Sequence, residues 1–191
     1  MKTIFFYIIF TLLVSTGFSQ TSVLQQKAVP EEYGYIVKIG QQMPEIEFTL
    51  TNGQKIMTSD LKGKVVMLQF TASWCSVCRS EMPHIENEIW QKHKNSGDFL
   101  LYGIDLDEPL KKVNKFHSDM KITYPLALDP KGKIFYTIAE KGAGVTRNII
   151  LDRDGKIVFM TRLYKEEEFN EMKNVIESLL SSDKNSDFNL N

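Results

Sequence analysis

Hydrophobic residues along the chain occur either as short continuous runs or at helical spacing. Two such runs, VVMLQF at 65–70 and the apolar centre of DFLLYGID at 98–105, lie between turn-forming residues. Short apolar runs with these boundaries predict strands that are buried on both faces. The stretches that follow them, RSEMPHIENEIWQKHK at 79–94 and DEPLKKVNKFHSDM at 107–120, have helical periodicity. The middle of the chain is therefore predicted to alternate strand and helix.

Two prolines should shape these helices. Pro83 lies inside the first helical pattern, and we expect it to kink the helix because proline lacks an N–H and clashes with the preceding turn. In the second helix, Asp107 is predicted to be the N-cap and Pro109 fits the first turn.

The remaining patterns predict two hairpins and a final helix. EIEFTLTNGQKIMT at 45–58 alternates polar and apolar residues around an Asn-Gly pair, which strongly favours a tight hairpin turn. RNIILDRDGKIVFMTRL at 147–163 predicts two strands around Asp-Arg-Asp-Gly, and the short YPLALD before it should be extended. KEEEFNEMKNVIESLL at 165–180 predicts an amphipathic helix.

The order of these elements defines a fold class. Strand–helix–strand units imply parallel neighbours in a central sheet that is covered on both faces. We therefore predict an α/β fold, with a central mixed sheet flanked by helices and an N-terminal β-hairpin extension. One domain should span 38–181, and the polar end at 182–191 is predicted to be a flexible tail.

The first residues differ in composition from the rest. Lys2 precedes the apolar run IFFYIIFTLLV, and small and polar residues follow it. This three-part pattern predicts a cleaved secretory signal at 1–19, since the run is too short for a comfortable membrane span. The polar segment 20–37 is expected to be a loosely packed extension, and the mature protein to be periplasmic.

Composition narrows the classes of partner. The 191-residue chain has a formal net charge of −1, with 42% hydrophobic and 25% charged residues. This composition is ordinary for a globular protein. Because the chain is not strongly basic, nucleic acid and acidic membranes are not predicted partners.

Both cysteines, Cys75 and Cys78, lie in FTASWCSVCRSEMPHIE, where the first buried strand ends and a helix begins. Such a pair can be a structural disulfide, half of a metal site or a redox pair. A disulfide between them closes almost no loop, so it adds little chain-entropy stabilisation. The histidines His84, His93 and His117 have no short ligand spacing, which disfavours zinc. A redox pair is the favoured interpretation.

The position of the pair assigns different roles to its members. Cys75 is predicted to lie at a helix N-terminus, where backbone N–H groups and the helix dipole stabilise a thiolate. We expect Cys75 to be exposed and to attack a substrate disulfide, and Cys78, one turn inside and more buried, to resolve the mixed disulfide. Trp74 would flank the site with a flat apolar surface, or it is an ordinary packing residue.

The stretch IGQQMPEIEFTLTNGQKIMTSDLKGKVVMLQFTASWCSVCRSEMPHIE resembles the opening of TlpA/ResA-like thiol–disulfide oxidoreductases, in the redoxin (AhpC/TSA) branch of the thioredoxin superfamily. The WCxxC with Pro83 five residues after Cys78 is the most specific part, and YGIDLDEP, YPLALDPKGKIFYTI and VTRNIILDRDGKIV extend the similarity. The resemblance implies a thioredoxin-like fold, a reversible Cys75–Cys78 disulfide, extracytoplasmic protein disulfides as substrates, and no metal or organic cofactor.

One departure from the thioredoxin pattern concerns proton transfer. Gln69 stands where thioredoxins keep a buried aspartate, and glutamine cannot titrate. By resemblance to ResA-like members, Glu108 in GIDLDE occupies the place of a glutamate near the cysteines, so it is a candidate proton acceptor for the Cys78 thiol. The alternative is a solvated charge in the first turn of a helix.

A second departure lies opposite the cysteines. Thr146 in VTRNIILD stands where the fold usually carries a cis-proline. A cis bond before a non-proline residue costs about 2.5–4 kcal/mol, so we expect Val145–Thr146 to be trans. The family's loop binds the substrate backbone, and the resemblance assigns Thr146 and Arg147 to substrate binding. Arg147 is also a candidate cation for the Cys75 thiolate, or an ordinary surface arginine.

Three functions are compatible with the pair. Reduction of extracytoplasmic protein disulfides is favoured, and it needs a membrane thiol electron donor to keep the pair reduced. A peroxiredoxin-like peroxidase is the alternative, but Leu68 and Ala72 stand where that family has proline and Thr or Ser. A Cu(I)-binding dithiol protein is the third. No pattern in the sequence indicates an oligomeric state.

Overall fold

A computed structural model describes residues 28–182 of the chain. The predicted signal peptide at 1–19 and the predicted tail from 183 onward lie outside the described residues. Within this range, no helix combines the length and the apolar composition needed to cross a membrane.

Seven strands of the described chain form one sheet. They are β1 (Glu47–Leu50), β2 (Lys55–Met57), β3 (Val65–Thr71), β4 (Phe99–Leu106), β5 (Leu126–Asp129), β6 (Arg147–Leu151) and β7 (Ile157–Arg162). Their order across the sheet is β2-β1-β5-β4-β3-β6-β7. β4 is parallel to β3 and to β5, and the other neighbours are antiparallel. The predicted central mixed sheet is confirmed.

The α-helices of the described chain are α1 (Ser76–His84), α2 (Gln91–His93), α3 (Leu110–Met120) and α4 (Glu166–Ser181). A π-helical segment, Ile85–Trp90, joins α1 to α2. Pro83 lies inside α1, and the π-helical segment begins two residues after it. A wider helical turn thus follows Pro83, and the helical path continues.

The long helices pack on the same face of the sheet. Met82 of α1, Phe116 of α3 and Met172 of α4 belong to one buried cluster with Met67 and Leu101 of the central strands. The crossovers from β3 to β4 and from β4 to β5 move the same way across the sheet. Because such crossovers are right-handed, both place their helix on the same side.

The opposite face is covered by the N-terminal segment and by short turns. Its cluster includes Phe70 and Ile149 of the sheet, Phe135 of a 3₁₀ turn, and Val37. Tyr33 and Val37 are only 7% and 4% exposed, so the expectation of loose packing is wrong for the described part of the extension. Full burial of an apolar side chain contributes roughly 1.5–3 kcal/mol, which favours this docking.

The start of α3 differs from the prediction. The helix begins after Pro109 as its cap residue, and no side chain caps it, so the N-cap assigned to Asp107 is wrong. Asp107 has a φ of 54°, and its carboxylate accepts the Lys131 N–H at 2.7 Å. Aspartate tolerates this left-handed conformation better than most residues, and the turn moves Asp107 away from the helix end.

Candidate active site

The two cysteines form a disulfide at the point where α1 begins, four residues beyond the end of β3. Cys75 is the N-cap of α1, and its sulfur accepts the Cys78 N–H at 3.2 Å. The two Cα atoms are 5.3 Å apart, a normal span for a disulfide. The first turn of α1 therefore directs a backbone donor at the Cys75 sulfur, as thiolate stabilisation requires.

The disulfide is more buried than the sequence suggested. Cys75 is 9% exposed and Cys78 is fully buried, so the expectation that Cys75 is exposed is wrong, although it is the more accessible of the two. Cys75 packs in the same hydrophobic cluster as Ala72 and Val145. Trp74, by contrast, is 62% exposed and provides the expected apolar surface next to the disulfide.

Thr146, the residue before β6, faces the disulfide. Its hydroxyl oxygen lies 3.1 Å from the Cys75 sulfur and 3.3 Å from the Cys78 sulfur. The described residues contain no cis peptide bond, so Val145–Thr146 is trans, as expected. The Thr146 carbonyl accepts the Leu163 N–H at 3.1 Å, which ties this loop to the end of β7.

Arg147 points to the other face of the sheet. Its guanidinium carbon lies 4.4 Å from the centre of the Tyr35 ring, and Nε donates to the Gly144 carbonyl at 2.9 Å. Arg147 is fully buried, and burial lowers its pKa. Neighbouring residues of a strand point in opposite directions, so Thr146 and Arg147 diverge. These contacts do not include Cys75, and Arg147 is not a surface residue.

Glu108 lies beside the loop that leads to the cysteines. Its carboxylate accepts the Ser73 N–H at 2.6 Å and the Ser73 hydroxyl at 2.8 Å, and it forms an ion pair with Lys112 at 2.5 Å. Burial raises the pKa of the Glu108 carboxyl, but Lys112 and Ser73 outweigh it, and the pKa lies below its ordinary value. Glu108 is therefore an ionised anchor for the residue two positions before Cys75, and it is not a solvated charge.

A second carboxyl, that of Asp105 in β4, interacts with Glu108. Asp105 is opposite Thr71 in the register of β3 and β4 and is fully buried. Burial, together with the charge of Glu108, raises the pKa of Asp105 to about 8. At neutral pH the two neighbouring carboxyls therefore carry a single negative charge.

Glu81 was not among the predicted site residues, yet it is 1% exposed and one turn beyond Cys78 in α1. Its Oε1 accepts a hydrogen bond from Asn148 Nδ2 at 2.7 Å. Burial raises the pKa of Glu81 to about 7, although the amides of Asn148 and Gln69 lower it in part. The spacing of Cys78, Glu81, Met82 and Ile85 on one helical face could have revealed this buried acid.

Gln69 lies in the same buried polar group as Glu81. The Gln69 Oε1 accepts the Tyr124 hydroxyl at 2.7 Å, and both residues are fully buried. Asn148 also donates to the Thr161 hydroxyl at 3.0 Å, which fixes the amide between β7 and α1. Gln69 itself cannot titrate, but a titratable carboxyl, that of Glu81, lies beside it on the neighbouring helix.

The site as a whole brings together a disulfide and a hydroxyl, and a buried acid lies one helical turn beyond Cys78. Of the predicted residues, Trp74, Cys75, Cys78 and Thr146 lie together, Glu108 joins them through Ser73, and Arg147 lies on the opposite face. No cluster of three or more His, Cys, Asp and Glu side chains suited to a metal ion occurs within 28–182. The arrangement fits thiol chemistry at one accessible sulfur.

Comparisons with known proteins agree with this geometry. The redoxin family model matches residues 38–176. Thiol-disulfide oxidoreductase ResA of Bacillus thuringiensis is 36% identical over 123 residues, which cover 64% of this chain and 68% of that protein.

Solved structures show the same fold. A solution structure of a candidate protein disulfide isomerase from Bacteroides thetaiotaomicron superposes with a TM-score of 0.75 and 56% identity, covering 78% of this chain and 93% of that chain. The thioredoxin domain of a thiol-disulfide oxidoreductase from Bacteroides vulgatus superposes with a TM-score of 0.61 and 24% identity, over 73% of this chain and 99% of that chain. The fold is thioredoxin-like, and the chain belongs to the redoxin family.

Proposed function

We propose that this protein catalyses thiol–disulfide exchange and that its reduced Cys75–Cys78 pair reduces disulfides of other proteins. The observation that carries the proposal is the disulfide at the N-terminus of α1, with the Cys78 N–H directed at the Cys75 sulfur at 3.2 Å. Similarity to two proteins supports the proposal. The ResA relative is named a thiol-disulfide oxidoreductase, and the Bacteroides thetaiotaomicron structure is described as that of a candidate protein disulfide isomerase.

The first step of the reaction belongs to Cys75. Its thiolate attacks a substrate disulfide, which forms a mixed disulfide and releases one substrate thiolate. The N-terminus of α1 stabilises the negative charge of the attacking thiolate. Cys75 is partly exposed and Cys78 is fully buried, so the substrate reaches the Cys75 sulfur. Trp74 and the Thr146 loop would contact the substrate chain beside that sulfur.

The second step needs a proton acceptor near Cys78. The Cys78 thiol must lose its proton before its sulfur attacks Cys75 and releases the second substrate thiol. Glu81 is buried one turn from Cys78 and has a pKa of about 7, so it exchanges a proton near neutral pH. Glu108, whose pKa is below its ordinary value, is suited to positioning the Ser73 loop.

The N-terminal sequence pattern supports a setting for this activity. We propose that a signal at 1–19 directs export to the periplasm and is then cleaved, and that a membrane thiol donor keeps the protein reduced. Reduction is preferred over oxidation because Ser76 and Val77 between the cysteines include no histidine that would further stabilise the thiolate.

Substitution of each cysteine should separate the two steps. Cys75→Ser should abolish reduction of insulin disulfides, because it removes the attacking sulfur. Cys78→Ser should still attack but remain trapped as a mixed disulfide, detectable by mass spectrometry. If Cys75→Ser reduces insulin as fast as the wild type, or if the wild type consumes peroxide with a thiol donor and reduces no disulfide, the proposal is wrong.

The buried Glu81 should make stability depend on pH. A folded pKa of about 7 lies above the reference value of 4.5, so its stabilising contribution is present below the unfolded pKa and is lost as pH rises through the folded pKa. As pH rises from about 4 to about 8, the unfolding free energy of Glu81→Gln should therefore increase by about 3 kcal/mol relative to that of the wild type. Urea unfolding of the oxidised proteins measures this difference, with exposed Glu167→Gln as the control. A constant difference across this range would contradict the assignment.

Kinetics distinguish Glu81 from Glu108 as the proton acceptor. In single-turnover release of a peptide thiol from its mixed disulfide with Cys75, Glu81→Gln should slow the resolving step on the order of 10²-fold and remove the inflection near pH 7. Glu108→Gln should keep that inflection. The reverse pattern, with the inflection lost only in Glu108→Gln, would assign proton transfer to Glu108.

A further inference from the structure

The Thr146 hydroxyl lies between the two sulfurs. Its oxygen is 3.1 Å from one and 3.3 Å from the other, and Thr146 is 2% exposed. A buried threonine hydroxyl commonly bonds to a nearby backbone carbonyl, but here its recorded partners are sulfurs. Since a disulfide sulfur carries no hydrogen, the hydroxyl is the donor in the oxidised protein.

The loop that holds Thr146 is fixed on its far side. Leu163 donates its N–H to the Thr146 carbonyl at 3.1 Å and has a φ of 65°. This left-handed conformation is unusual for leucine, and its cost must be met by the surrounding contacts. The hydroxyl is therefore held in a set position, where a proline would offer no donor at all.

We propose that Thr146 is a catalytic residue whose hydroxyl donates a hydrogen bond to whichever of the two sulfurs carries negative charge during exchange. This inference rests on the proposed function and adds a residue to its chemistry. A hydrogen bond to a charged sulfur is stronger than one to a neutral sulfur, so the same group stabilises the charged state more than the neutral one.

One hydroxyl can serve both steps, because it lies within hydrogen-bond distance of both sulfurs. When the Cys75 thiolate attacks a substrate disulfide, the Cys75–substrate bond forms, the substrate S–S bond breaks and one substrate thiolate leaves. Cys78 then gives its proton to a base and attacks the Cys75 sulfur, which re-forms the Cys75–Cys78 disulfide and releases the second substrate thiolate. Two electrons pass to the substrate. The negative charge of Cys75 leaves with the first substrate thiolate, and a new negative charge forms on Cys78 when its proton passes to the base.

Other charged groups around the disulfide have different partners. They lie on α1, on β4 and in the loop after it, on α3 and on β6, and they are Glu81, Asp105, Glu108, Lys112 and Arg147. Glu81 bonds to Asn148, and Arg147 bonds to the Gly144 carbonyl. Glu108 bonds to Ser73 and pairs with Lys112. None of these bonds reaches a sulfur. Asp105 interacts with the Glu108 carboxyl, which contributes to its raised pKa. Thr146 and the Cys78 N–H are thus the donors recorded at the Cys75 sulfur.

The test is a titration of the reduced protein, which needs no substrate. Thr146→Val keeps the shape of the side chain and removes the hydroxyl, and it should raise the pKa of the Cys75 thiol by about 1–2 units, followed by the ultraviolet absorbance of the thiolate. Thr146→Ser should restore the pKa to within about 0.3 units of the wild type. The reduction potential of Thr146→Val should fall by up to about 30 mV per pKa unit, because the thiolate stabilises the reduced form.

A matched control removes a different buried hydroxyl. Thr58 is 7% exposed and donates to the Pro44 carbonyl at 3.0 Å, so Thr58→Val should lower stability without changing the thiol pKa. An unchanged Cys75 pKa in a folded Thr146→Val protein, or a failure of Thr146→Ser to restore it, would overturn the inference. If the wild type reduced no protein disulfide, the proposed function would fail while this titration still decided the role of Thr146.

Discussion

The hydrogen bond from the Cys78 N–H to the Cys75 sulfur depends on the position of β3. β3 is buried along its whole length, with β4 on one side and β6 on the other. A shift of one residue would exchange the side chains on its two faces, and since both faces are packed the register is strongly fixed. The end of β3, the turn at Ala72–Trp74 and the first turn of α1 are thereby held in one arrangement, with donor and sulfur 3.2 Å apart.

Three consecutive polar residues, Thr146 to Asn148, are buried opposite the disulfide. A buried polar group without a partner costs about 1–3 kcal/mol, so the contacts that these side chains make matter for stability. Thr146 contacts the sulfurs and Asn148 binds the Glu81 carboxyl, while Arg147 stacks on Tyr35 on the other face. Because side chains alternate along a strand, one short segment contacts the redox pair, the buried acid and the opposite core. A proline at the first position would provide neither the hydroxyl nor an N–H.

Sequence patterns predicted the sheet, the helices and the cysteine pair well, because these depend on local periodicity and on strand–helix order. They failed where a contact joins distant parts of the chain. The burial of Cys75 and of Tyr33 depends on packing between segments far apart in sequence, and Asp107 is displaced from its helix by a turn that meets Lys131. Glu81 was detectable in principle, since it shares a helical face with Cys78, but a charged residue on that face is usually solvated. Only the packing of Asn148 and Gln69 against it shows that it is buried.

Glu81 and Glu108 are both buried near the redox pair, and their surroundings drive their pKa values apart. Glu108 has a cation, Lys112, and two hydrogen bonds from Ser73, so ionisation is favoured in spite of burial. Glu81 has amide partners and no cation among the groups that shift its pKa, so burial prevails and the neutral form persists to about pH 7. A group that remains charged can hold a loop in place but has little tendency to take a proton, whereas a group that titrates near neutral pH can exchange one with a thiol. The contrast in local partners therefore supports the proposed division, in which Glu108 positions the loop and Glu81 accepts the proton.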